Sequence, residues 1–131
     1  MRNVKPLSSK KRRAYEARLR VLEDEYRRFA LSLSKAGYLW NGTLVRMKLT
    51  CGRPCCTCHR DKARRHGPYA YWTTKVKGKT VSCLLAPEEA DLYEEWIHNR
   101  RRLQGTIKKM HALSKRVAPM ILQMGIKSQP D

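Results

Sequence analysis

The stretch Gly42-Thr-Leu-Val-Arg-Met-Lys-Leu-Thr50, Cys51-Gly-Arg-Pro-Cys-Cys-Thr-Cys-His59, Arg60-Asp-Lys-Ala-Arg-Arg-His-Gly-Pro68, Tyr69-Ala-Tyr-Trp-Thr-Thr-Lys-Val76, Lys77-Gly78, Lys79-Thr-Val-Ser-Cys-Leu-Leu85 decides the fold. Gly42 to Thr50 alternates, with Leu44, Arg46 and Lys48 on one face and Val45, Met47 and Leu49 on the other, as a strand requires. Tyr69–Val76 and Lys79–Leu85 are two further strands around a Lys77-Gly78 turn, where glycine supplies the positive φ of a tight hairpin. Three short strands need a helix against one face. Between the first two lies a loop dense in thiols and imidazoles. Residues 42–85 therefore read as a small antiparallel sheet carrying a metal knuckle.

Helices are expected on both sides. Upstream, over residues 9–36, Tyr15, Leu19, Leu22, Tyr26, Phe29 and Leu33 recur at alternating spacings of four and three, a heptad seam. Ser8 or Ser9 can cap that helix, and Gly37 is read as its left-handed stop. Downstream, over residues 87–118, Pro87 takes the first helical position, with Glu88, Glu89 and Asp91 complementing the N-terminal dipole. Leu92, Trp96, Leu103, Met110, Leu113 and Val117 keep heptad register, interrupted by Asn99 and Thr106. Gly105 marks either a close helix contact or a weak point. Pro119 is expected to end the helix, leaving residues 119–131 as a tail. At 131 residues the chain is the size of one domain. The expected class is α+β: two long antiparallel helices flanking a small three-stranded antiparallel sheet with a zinc knuckle. Seams packed within one chain account for both heptads; the alternative is an intermolecular coiled coil that makes a homodimer.

Charge narrows the function. Lys and Arg number 29 against 11 Asp and Glu, a net +18, which a polyanion would offset. The imbalance is local, because residues 26–86 hold a single acid, Asp61, while all the others but Asp131 gather at Glu16–Glu25 and Glu88–Glu95. No apolar core follows the basic N-terminal run, and no stretch is apolar enough to span a bilayer. A cytoplasmic protein with reduced thiols is expected, with no membrane partner, so clustered cysteines favour metal over disulfides.

Cys51, Cys56, Cys58 and His66 form a C-x4-C-x-C-x7-H set that suits tetrahedral zinc, though Cys55 and His59 can each replace a neighbour. A structural role is favoured. A hydrolytic zinc keeps an open position and usually a carboxylate base, and only Asp61 lies near. Cys83, mid-strand, reads as a free buried thiol. Three thiolates and an imidazole leave a net negative zinc centre, which some of the surrounding cations can offset. The surplus is available to phosphates: Arg46 and Lys48 on the first strand, Arg53, Arg60, Lys62, Arg64 and Arg65 around the knuckle, and Lys75, Lys77 and Lys79 at the hairpin tip. Tyr69, Tyr71 and Trp72 are candidates for stacking on bases or for core packing, and Trp40 and Trp96 are assigned to packing.

The segments CGRPCCTC, HGPYAYW, KGKT and APEEADLYEEWIHNRRRL resemble a family of small bacterial and archaeal proteins known only as a domain of unknown function. The resemblance covers residues 42–103. It implies that Cys51, Cys56, Cys58 and His66 are the shared ligands, Cys55 falling where relatives carry another residue. It further implies association with mobile genetic elements, and so a recombinase or transposase complex as partner. The expected function is a nucleic-acid-binding accessory protein, DNA or RNA, with structural Zn2+ and no enzyme activity. The rivals are a coiled-coil adaptor within a nucleoprotein assembly and a metal-dependent nuclease.

Overall fold

The computed structural model describes residues 7–125, and its elements in chain order are helix α1 (Ser9–Leu33), strands β1 (Thr43–Leu49), β2 (His66–Val76) and β3 (Lys79–Leu85), and helix α2 (Pro87–Met124). The class is α+β, as the patterning implies. Two compact units arise: a helical one from residues up to Ala36 with those from Arg102 onward, and a sheet unit, Gly37–Arg101.

In the helical unit α1 starts at Ser8, whose Oγ accepts from the Lys11 backbone N–H at 3.4 Å. Leu19 and Leu22 are buried at the centre of the seam, with Leu113 and Met124 buried on α2. The two segments run antiparallel. Arg12 donates to the Met124 carbonyl at 3.4 Å, and the Lys109 ammonium stands 5.6 Å over the Phe29 ring. The seam is thus buried at its centre within one chain, at Leu19, Leu22 and Leu113, while Tyr26 at 38% and Leu92 at 42% stay exposed.

Three expectations about helix ends are corrected. α1 stops at Leu33 rather than residue 36, closing through short i→i+3 bonds from Ser34, Lys35 and Ala36. Gly37 is not left-handed; a Cβ there would meet the Asn99 amide nitrogen at 2.6 Å, so it serves close approach instead. α2 does not end at Pro119 but continues to Met124. Met120 and Met124 prolong the 113–117 register, and burying Met124 offsets the hydrogen bond that proline cannot make. Of the expected 119–131 tail, residues 126–131 lie outside the described residues.

The sheet unit is a meander in the order β1-β2-β3, antiparallel throughout. Lys77 and Gly78 have φ of 50° and 80°, the pair of positive values that a two-residue type I′ hairpin turn needs. β2 begins at His66, three residues earlier than its alternation suggests, because His66 pairs with Leu49 across a register shift between Met47 and Leu49. The first turns of α2 cover one sheet face. Ala70, Leu85 and Ala90 form its buried centre, with Leu44, Trp72 and Tyr93 packed against them. Tyr38, Trp40, Trp72, Tyr93 and Trp96 extend it as an aromatic cluster with ring centroids 5.0–6.0 Å apart. Buried Asn99 donates to the Tyr38 carbonyl at 3.0 Å, so this heptad interruption fastens the 37–41 segment to α2. No helix among the described residues is long and apolar enough to cross a membrane.

Candidate metal centre and basic surface

The loop from β1 to β2 is built to converge on one point. Cys51 leaves β1 two residues after Leu49, and His66 opens β2 opposite that same leucine. A turn closed by the Cys56 N–H on the Arg53 carbonyl at 3.2 Å reverses the chain, and a 3-10 turn over Thr57–His59 buries Cys58. Gly67 follows His66 at φ 115°, and a Cβ there would lie 3.0 Å from the Met47 carbonyl. The glycine of the HGPY run lets the two strands approach at the base of the loop.

The Sγ atoms of Cys51, Cys56 and Cys58 and a ring nitrogen of His66 all lie within 4.8 Å of one another. Cys51 and Cys58 sulfurs are 3.6 Å apart, and Cys56 Sγ is 3.4 Å from His66 Nε2. A tetrahedron with zinc bond lengths of about 2.3 Å to sulfur and about 2.0 Å to nitrogen has S–S edges of about 3.8 Å and S–N edges of about 3.5 Å. Two edges match already, and the widest needs to contract by about 1 Å. The donor set fits zinc. Cys55 and His59, which the loop spacing left as alternatives, are exposed and stand outside the cluster.

The surroundings ready this set unequally. The Cys58 backbone N–H, followed by His66 and the neighbouring thiols, draws the Cys56 thiol down from 9.0 to about 6. Burial pushes the Cys58 thiol up, although the Cys51 backbone N–H, 3.3 Å from its sulfur, opposes that shift. Cys56 thus gives up its proton more readily than Cys58.

A family model described as a domain of unknown function, DUF6788, matches residues 12–94. The chain belongs to that family. The DUF6788 match takes in all four cluster residues and starts within α1, so the first helix is part of the family pattern rather than an appendage to residues 42–103. No curated protein and no solved structure matches the chain.

The sequence-nominated basic residues divide. Lys48, Arg53, Arg60, Lys62 and Arg65 are exposed, as are Lys75, Lys77 and Lys79. Arg64 is exposed too but lies 3.9 Å from Asp61, whose other oxygen accepts from the Ala63 N–H. Arg46 is a correction. It stands on the helix-covered face of β1, with Nη2 2.9 Å from Asp91 and 2.6 Å from Glu94, and those carboxylates raise its pKa. Its charge is already neutralised.

Trp72 is corrected as a stacking residue. It packs against Trp40 and Tyr93, and its indole N–H donates to the Asn41 carbonyl at 2.8 Å. Adjacent strand residues point to opposite faces, so Tyr71 and Trp72 could never have shared one surface. Cys83 is exposed rather than buried, because β3 is a sheet edge. The packing expected for Trp40 and Trp96 holds, but the wider aromatic cluster and the Arg46 ion pairs were missed by sequence reasoning. The pairing of Arg46 with a helix opening on Glu88, Glu89, Asp91 and Glu94 was the signal available for the second.

Proposed function

We propose that the protein is a nucleic-acid-binding module whose knuckle is held by a structural zinc ion, acting in the cytoplasm within a mobile-element or ribonucleoprotein complex. The observation that carries this reading is the separation of charge within the sheet unit. Most of its exposed cations lie on the knuckle and hairpin, where Asp61 is the sole acid, while Glu88, Glu89, Asp91, Glu94 and Glu95 belong to α2. Such a surface attracts a polyanion by releasing its condensed counterions.

A binding role is favoured over a nuclease. Four protein donors would complete the coordination of a tetrahedral zinc, leaving no open position for a water nucleophile. Asp61, the nearest carboxylate in sequence, is engaged by Ala63 and Arg64.

The test is the salt dependence of binding to DNA and RNA. With about five phosphate contacts on a duplex the log–log slope is about −4.5, so a fourfold rise in salt weakens binding roughly 500-fold. Absence of binding to any nucleic acid at about 50 mM salt defeats the proposal.

A further inference from the structure

The sheet has a second face that no element of the sheet unit covers. Cross-strand pairing puts Tyr71 between Val45 and Leu84, and Tyr69 beside Met47, on the side opposite Ala70, Trp72 and Leu85. Tyr69 is 40% exposed, Val45 41%, Met47 40% and Leu84 57%, an unusual amount of apolar surface to leave wet in so polar a chain. Thr73 and Ser82 hydroxyls, 3.2 Å apart, continue the same face toward the hairpin. Two aromatic rings thus lie in a row on the central strand with aliphatic side chains around them.

Charge says what chemistry suits this face. β2 runs from the knuckle, with Arg60, Lys62 and Arg65, to the hairpin, with Lys75, Lys77 and Lys79. The rings therefore sit between two cationic ends, and the acids of α2 belong to the other side of the sheet, where Asp91 and Glu94 hold Arg46. An aromatic surface between cationic ends fits a strand whose bases are free. Residues two apart on a strand are about 6.6 Å apart, twice the roughly 3.4 Å spacing of nucleotides stacked in a duplex. The rings match bases that are splayed, not stacked. Paired bases, moreover, hide the ring faces that aromatic side chains use.

We infer that this open face binds single-stranded nucleic acid, with successive unpaired bases stacked on Tyr69 and Tyr71 and the flanking phosphates held by the knuckle and hairpin cations. The inference rests on the nucleic-acid reading above and deepens it by naming the strand form. The ten residue steps of β2 span about 33 Å, room for about five extended nucleotides.

The experiment measures binding of a short oligothymidylate, a short oligouridylate and a mixed-sequence duplex to the zinc-loaded full chain and to the Tyr69→Leu, Tyr71→Leu variant. Leucine keeps the face apolar while removing the rings; thermal melting and zinc content identify any variant that fails to fold, and Tyr69→Leu alone then replaces it. Both single strands should bind more tightly than the duplex. The double variant should lose about 20-fold or more for them, with an unchanged salt slope because the phosphate contacts persist. Undiminished single-strand affinity in the variant overturns the stacking inference while leaving the nucleic-acid reading intact. A duplex preference does the same. Wild-type protein that binds none of the three probes defeats the underlying reading instead. A wild-type dimer that the double variant converts to monomer also overturns the inference, since a second copy then occupies the face.

Discussion

Cys55 and Cys56 are neighbours in the chain with opposite fates: one sulfur points to solvent and the other lies 3.4 Å from His66. Replacing Cys56 and Cys58 together with serine should abolish zinc binding, whereas Cys55→Ser should retain about one zinc per chain, read by elemental analysis of the purified protein. Retention by the double variant would disprove the ligand assignment. Acidification should release the metal, since protons compete for the thiolates and imidazole that zinc requires; a colorimetric chelator assay across pH would register it. In the metal-free chain the lowered Cys56 value works in the same sense: its stabilisation is full above pH 9 and lost as pH falls through about 6. Gly105 offers a contrasting case. A Cβ at this exposed helical position meets nothing within 4 Å, so it marks no close contact. Gly105→Ala should stabilise the protein by about 1 kcal/mol in denaturant melts, and a loss of stability would reveal a contact at that site.

At the scale of elements, the two helices draw their stability from the seam rather than from their polar faces. Leu22 and Leu113 are 3% and 4% exposed. Leu22→Ala and Leu113→Ala should each cost about 2–5 kcal/mol, while Leu103→Ala, at a half-buried position, should cost less. Arg20→Ala, on the exposed side, should leave the melt nearly unchanged. A leucine variant that melts normally but sediments with altered mass would mark the seam as an oligomer interface. Most of both heptads and the strand alternation were legible without coordinates, because each is a local periodicity that burial of one face imposes, but Leu92 in the expected seam is 42% exposed and Ile97, outside it, is buried. Helix ends were less so. Pro119 is a strong stop signal in isolation, yet two methionines beyond it stay in register, Met120 half-buried and Met124 buried.

For the molecule as a whole, the decisive property is where +18 charges are placed rather than their number. Substituting Lys75, Lys77 and Lys79 with glutamine should flatten the salt slope by up to about 2.7 for a duplex, or about 2.1 for a single strand, if each lysine meets one phosphate. Arg46→Met should leave that slope unchanged, because Asp91 and Glu94 already hold its guanidinium. An equal effect from both variants would mean that binding reads overall charge and not a surface.

From the sequence by itself came the α+β class, three strands with their hairpin turn, two seamed helices and a loop carrying six candidate metal donors. All of these depend on residue type at short spacings, where geometry follows directly from chain periodicity or ligand chemistry. The loop alone could not choose among six donors. Tertiary structure made that choice by pairing Leu49 with His66, which closes the loop and turns Cys55 and His59 outward. It also removed Arg46 and Trp72 from the candidate surface, since both lie on the sheet face that α2 covers. A strand's alternation says that two faces exist. Only the packing of α2, some twenty residues farther along the chain, decides which face is sealed and which leaves Tyr69 and Tyr71 facing outward.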